Sequence, residues 1–266
     1  MDYKALCAEV QDLARQTGKF IRDEQKKITS SDVHLKSVTS LVTYVDKTVE
    51  ENLVSALRQL IPNSGFVAEE GTAGSKNEKF TWIIDPLDGT TNYIHGIAPH
   101  SVSIALQEND EIVLGVVYEV GLDEMFYAWK GSKACLNGKE IKVSTASDPI
   151  HTLIGTGFPY YDFERIDDYI AVMKELMKTT RGLRRLGSAA VDLSYVACGR
   201  FDAFFEHALH AWDIAAGAFI IQQAGGKITD FNGGNNWLFG GEIVAASANF
   251  FDSFYNTVHH YLGNKR

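Results

Sequence analysis

The chain has 266 residues, 45% of them apolar and 22% charged, with 25 Lys+Arg against 34 Asp+Glu for a net charge of -9. That apolar share supports a sizeable core in one large domain or two small ones. The acidic balance excludes general nucleic-acid binding, because affinity for a polyphosphate rests on cationic contacts. No apolar run reaches bilayer length, and the start "MDYKALCAEV" lacks a basic n-region and an apolar h-region, so a cytoplasmic protein without membrane contact is expected. Cys7, Cys135 and Cys198 are far apart and odd in number, which fits neither a zinc spacing nor a disulfide framework and reads as reduced thiols.

In chain order, Leu6, Val10, Leu13, Thr17 and Phe20 recur at helical spacing and predict an amphipathic helix over 2–27. "KKITSSDVHLKSVTS" has no periodicity and reads as a mobile polar loop. A second helix is expected from about Tyr44, carrying Val45, Val49, Leu53, Ala56 and Leu60 until Pro62 stops it. Strands follow in "GFVAEE", "FTWIID", "SVSIALQ", "EIVLGVVYEV" and "EMFYAWK", with one hairpin at "END" and another at Asn137-Gly138. Beyond Asp148 the elements alternate. "DDYIAVMKELMKTT" and "SAAVDLSYVACG" read as helices, "FDAFFEH" as a strand, and "DIAAGAFIIQQAGG" as a helix stopped by Gly225-Gly226. "KITDF" and "EIVAAS" are strands, and "NFFDSFYNTVHHYLG" closes the chain as a helix. The pattern is a mixed α/β protein, one unit over 1–266 with two lobes that share a face and a seam near residue 150.

Carboxylates gather at the ends of these elements. "GFVAEEG" delivers Glu69 and Glu70, "WIIDPLDG" delivers Asp85 and Asp88, and "HAWDIAAG" delivers Asp213. Asp213 reads equally well as a helix cap and the Glu69-Glu70 pair as a solvated turn. Asp85-Pro-Leu-Asp88 is harder to explain that way, since two close negative charges leave an apolar strand together. Converging oxygen ligands call for Mg²⁺ rather than zinc. Gly89-Thr90-Thr91 then supplies backbone N–H groups at a helical turn, suited to phosphate oxygens. Carboxylates for a metal beside an anion cradle predict a phosphate monoester site.

"WIIDPLDGTTNYIHG" and "WDIAAGAFIIQQAGG" resemble the two signatures of the inositol monophosphatase family, and "KSVTSLVTYVD", "GFVAEEG" and "GSAAVDLSYVACGRFDAFFE" align with its other segments in order. The resemblance implies a layered α/β/α/β/α sandwich, a homodimer, two to three Mg²⁺ per site, inhibition by lithium, and hydrolysis of inositol monophosphate. It places one metal on Glu69, Asp85 and the Leu87 carbonyl, and a second on Asp85, Asp88 and Asp213. A weaker third leans on Glu69 through water. Thr90, paired with Asp46, orients the attacking water with help from Glu69. The N–H groups of Gly89 and Thr90 take the phosphate. Asp88, Ala189, Glu206 and Asp213 fall on the substrate side.

His210 is read as structural or flanking, His95 as a loop hydrogen-bonder, and Arg184 and Arg185 as phosphate or dimer contacts. Two alternatives stay open: the same chemistry on another sugar phosphate such as fructose 1,6-bisphosphate, and a regulatory role. One enterobacterial member of the family binds RNA polymerase and antitermination factors, so polymerase contact is an expected partner alongside a small phosphomonoester. One position departs from the family pattern: between Lys36 and Asp46 the family's middle Asp is here Ser40. A serine cannot pull on a metal-held water as a carboxylate does, so a weaker third metal and a raised Mg²⁺ requirement are expected.

Overall fold

The computed structural model describes residues 1–29, 32–35, 41–71, 79–159 and 162–263. Lys36 and Ser40 lie outside the described residues. Helices α1 (Tyr3–Gln25) and α2 (Tyr44–Leu60) match the predicted amphipathic segments. Val33–Leu35 (β1), within the stretch read as a loop, pairs as an antiparallel ribbon with Leu41–Thr43 (β2) just after it, a correction to the loop expected there. Three-residue strands are too short to show an alternation.

A seven-stranded sheet follows, in the order β3-β4-β5-β6-β7-β8-β9. Its strands are Gly65–Ala68 (β3), Phe80–Asp88 (β4), Ser101–Glu108 (β5), Glu111–Glu119 (β6), Glu124–Trp129 (β7), Cys135–Leu136 (β8) and Lys139–Glu140 (β9). The five-residue helix α3 (Thr90–Ile94) interrupts the run after β4. Both expected hairpins form, and Asn137 and Gly138 take positive φ (48° and 82°), which a two-residue hairpin turn requires.

The second sheet has the order β11-β10-β12-β14-β13. It comprises Leu153–Thr156 (β10), Gly182–Arg184 (β11), Ala203–His207 (β12), Lys227–Thr229 (β13) and Glu242–Ala246 (β14). The predicted strands β12, β13 and β14 are present. β10 and β11 were not expected: they are short, glycine-bearing and paired in parallel across 29 positions, Leu153 with Gly182. The helices of this half are Ile166–Thr179 (α4), Ala189–Ala197 (α5), Ala211–Gln223 (α6) and Phe251–Leu262 (α7).

Three apolar clusters define the layers. α1 and α2 cover one face of the seven-stranded sheet through Val10, Ile21, Val49, Leu53, Trp82 and Ile104. α5 and α6 fill the space between the two sheets around Ile83, Leu193, Phe204, Phe219 and Ile220. α4 and α7 close the far face over Tyr169, Phe205, Phe254 and Val258. The result is the expected α/β/α/β/α stack. The central helices are apolar all round because they are covered on both sides. No described helix is long and apolar enough to cross a membrane.

Candidate active site

Successive strand residues point to opposite faces, so Asp85 and Asp88, three apart, should diverge. They do not, because β4 carries an extra residue between them: Asp85 sits opposite Ser103 and Asp88 opposite Ser101. Ser101 and Ser103 share a face of β5, and the bulge brings both aspartates to it. Pro86 is at home in the bulge, where no ladder N–H is needed. Ser103 Oγ donates to the Trp212 carbonyl at 3.2 Å, so this face looks onto the N-terminus of α6, where Asp213 lies. Ala68 pairs in parallel with Ile84, which sets Glu69 beside Asp85. Four carboxylates, Glu69, Asp85, Asp88 and Asp213, therefore lie near one another at the ends of β3 and β4 and the start of α6.

Each of the aspartates has a fixed support. The Asp85 carboxylate accepts from the Leu87 N–H at 2.9 Å. Asp88 accepts from Ser188 Oγ (2.7 Å) and the Ala190 N–H (2.8 Å) at the start of α5, with the Ala189 N–H adding to them. Asp213 is the third residue of α6 rather than its N-cap, and its carboxylate accepts from the N–H of the capping residue His210 at 2.6 Å. Burial, followed by the charges of Glu69, Asp88 and Asp213, holds Asp85 well above the usual carboxylate range. Burial pushes Asp88 up to about 6 against the pull of its hydrogen-bond donors. Among the described residues no three His, Cys, Asp or Glu side chains are drawn tightly enough to hold a metal ion by themselves. The donor set nevertheless suits Mg²⁺, which keeps several waters and needs few carboxylates. A cation would also relieve the mutual repulsion that raises Asp85.

Thr90 opens α3 directly after Gly89. Its Oγ1 is 3.1 Å from Asp46 Oδ1 and 3.0 Å from the Leu87 carbonyl, so its hydrogen is directed at those acceptors. Asp46 is fully buried at the third position of α2, where its other oxygen accepts from the Thr43 N–H (2.8 Å) and Thr43 Oγ1 (2.7 Å). Burial raises its pKa. Gly89 has φ +91°, and a Cβ there would lie 3.0 Å from the Pro99 carbonyl and 3.1 Å from that of Gly187, so no larger residue fits. Asn92, which the sequence reading left unassigned, ties these pieces together by donating to the Pro99 and Leu186 carbonyls, both at 2.8 Å.

On the opposite wall, Ala189 begins α5 and Glu206 lies buried on β12. Burial, then the charges of Asp213 and Asp88, raise Glu206 far above its usual range, while Arg185 pulls the other way. The Arg185 guanidinium lies 5.6 Å from the Phe158 ring centroid, on the wall of this half, whereas Arg184 is exposed and turns back to the Leu183 carbonyl. His210 stacks on Trp212 at 4.5 Å, and His95 is exposed at the end of α3. Asp192, buried on α5 and close enough to feel Glu206 and Asp88, escaped the sequence reading. Its spacing four residues after Ser188 offered only a helix-start signal.

The inositol monophosphatase family model matches residues 2–262. Among curated relatives, a protein of Pseudomonas aeruginosa described as Nus factor SuhB is 38% identical over 254 residues, with 94% of each chain covered. An inositol-1-monophosphatase of Mesorhizobium japonicum is 37% identical over 235 residues, covering 88% of each. Among solved structures, the extragenic suppressor protein SuhB from Bartonella henselae superposes with a TM-score of 0.91 at 33% identity, covering 96% of this chain and 98% of that one.

Proposed function

The chain belongs to the inositol monophosphatase family, and from that premise we propose that it is a Mg²⁺-dependent phosphomonoesterase whose substrate is inositol monophosphate. The observation that carries the reading is the bulge that turns Asp85 and Asp88 to one face, toward Asp213 and beside the Thr90–Asp46 pair. Glu69, Asp85, the Leu87 carbonyl, Asp88 and Asp213 would hold two Mg²⁺, with a third leaning on Glu69. When bound, the ions would polarise the phosphoryl oxygens and ease deprotonation of water.

The residues do the rest. The Gly89 and Thr90 N–H groups receive the phosphate at the first turn of α3. Thr90 Oγ1 gives its hydrogen toward Asp46, which leaves a lone pair to accept a hydrogen bond from the attacking water. As that water loses its proton to the Thr90–Asp46 pair, its oxygen bonds to phosphorus and the ester P–O bond breaks. The leaving alkoxide takes a proton from solvent. Glu206, Ala189 and the Asp88 and Asp213 carboxylates face the departing polyol.

In this reading residues 1–266 act as one unit, because α5 and α6 serve both sheets, and the enzyme is a cytoplasmic, lithium-sensitive homodimer. The test is phosphate release across a panel of inositol, sugar and simple phosphomonoesters, with and without Mg²⁺. Turnover of inositol monophosphate that requires millimolar Mg²⁺ and stops with EDTA is the expected result. Full turnover in EDTA ends the metal assignment, and a preference for a sugar bisphosphate replaces the substrate.

Glu206→Gln is expected to raise KM for a polyol phosphate while sparing p-nitrophenyl phosphate. A hydrogen bond between a polyol hydroxyl and the neutral carboxyl contributes about 0.5–1.5 kcal/mol, and about 1.5–3 kcal/mol where cations on the neighbouring aspartates keep Glu206 ionised. Equal losses on both substrates would assign Glu206 to the chemistry or the fold. A second reading comes from the relatives described as Nus factors: contact with transcribing RNA polymerase, alongside or in place of catalysis. Pull-down of polymerase by the intact protein separates the two.

A further inference from the structure

Glu206 does not choose its own position. Its carboxylate lies against the bare Cα of Gly157, the residue that follows β10, and a Cβ built there would fall 1.8 Å from Glu206 Oε1 and 2.0 Å from its carboxyl carbon. The backbone at this point has little freedom to retreat. β10 is flanked by β11 and β12. The hydroxyl of Tyr169, buried on α4, lies 3.1 Å from the Gly157 carbonyl, 3.3 Å from the Phe205 carbonyl and 2.7 Å from Thr156 Oγ1. Thr156 Oγ1 itself donates to the Phe205 carbonyl at 2.9 Å. This clamp joins the end of β10 to the residue just before Glu206.

We propose that Gly157, locked by the Tyr169 hydroxyl, is a positioning residue: it leaves the space in which the Glu206 carboxylate lies and so sets discrimination among polyol phosphates. The proposal rests on Glu206 being the polyol contact. A side chain at 157 creates an overlap that either the backbone or the carboxylate must relieve. The backbone is held by the Tyr169 hydroxyl at the Gly157 carbonyl and by the β12 ladder at Thr156, whereas the carboxylate is the free end of a flexible chain, so the carboxylate moves.

Crystal structures of the parent and of Gly157→Ala read this without reference to turnover. The expected result is a Glu206 carboxylate displaced away from residue 157 with the Tyr169 contacts unchanged. A carboxylate left in place, with residues 155–158 shifted instead, overturns the proposal. Kinetics then follow the consequence: Gly157→Ala should raise KM for inositol monophosphate about tenfold and change turnover of p-nitrophenyl phosphate less than about twofold. In a Glu206→Asp background, where the shorter side chain leaves room for the new methyl group, the same substitution should add less than about twofold. An equal penalty in both backgrounds means that residue 157 acts independently of Glu206, and overturns the proposal. If the carboxylate moves as expected but neither Gly157→Ala nor Glu206→Asp alters selectivity, the assignment of Glu206 to the polyol falls, and with it the specificity half of the proposal.

Discussion

Asp88→Asn is expected to lower turnover by at least about 10²–10³-fold while the metal-free protein melts a few degrees higher than the parent. The two effects share a cause. Asp88 belongs to a group of carboxylates whose largest mutual interactions are repulsive, and in the metal-free protein burial pushes it up to about 6 from an ordinary 3.8. Between those two values the folded state holds more protons than the unfolded chain, so this group's contribution to stability falls as pH rises from about 4 to about 6. By pH 7 the loss is on the order of 3 kcal/mol for this residue alone. Asparagine removes that loss, and its side-chain oxygen still accepts from Ser188 and Ala190. Melting curves of both metal-free forms at pH 5 and pH 7 test the sign: the parent should lose more on going to pH 7 than the variant. Asp213→Asn should likewise abolish most turnover. Near-parental turnover in either variant would remove that residue from the site, and a steeper pH loss in Asp88→Asn would show that burial does not penalise the Asp88 charge.

What the sequence revealed of this architecture depended on how local each signal was. α1, α2 and the Asn137-Gly138 hairpin announce themselves within a dozen residues, by periodicity or by a turn that needs positive φ. β10 and β11 exist because distant segments pair, and their glycines and short lengths leave nothing to read locally. The site follows the same rule. "DPLD" marked a cluster because two acids around a proline are unusual, yet the bulge that makes them share a face becomes visible only with β5 alongside. The partnership of Asp88 with Ser188 and Ala190 spans 100 residues or more, and that of Thr90 with Asp46 spans 44. The Thr90–Asp46 pair came from the family resemblance rather than from spacing, and the Asp88 contacts had no signal in the sequence. Gly157 and Tyr169 had neither a local signal nor a signature to lie in.

Thr90→Val tests the proton path with the least disturbance to the fold. Valine matches threonine in shape, and the only group lost is the hydroxyl that reaches Asp46 at 3.1 Å and the Leu87 carbonyl at 3.0 Å. Asp46→Asn is a poorer probe, because Asp46 also accepts from Thr43 at the start of α2. Weakening that helix cap costs about 1 kcal/mol, which would mix a folding effect into the kinetics. If Thr90 orients the attacking water and passes its proton toward Asp46, kcat in Thr90→Val should fall by about 10²–10⁴-fold, the usual yield of a positioned general base. KM should change little, since the phosphate is held by the backbone N–H groups of Gly89 and Thr90, which valine keeps. Thr90→Ser retains the hydroxyl and should stay within about tenfold of the parent, or 1.4 kcal/mol of barrier. Single-turnover rates at saturating Mg²⁺ separate the chemical step from product release. A Thr90→Val enzyme that keeps its kcat would place the base elsewhere, with Glu69 the next carboxylate to test. A loss shared equally by the serine variant would instead point to a role for the threonine methyl group in packing α3.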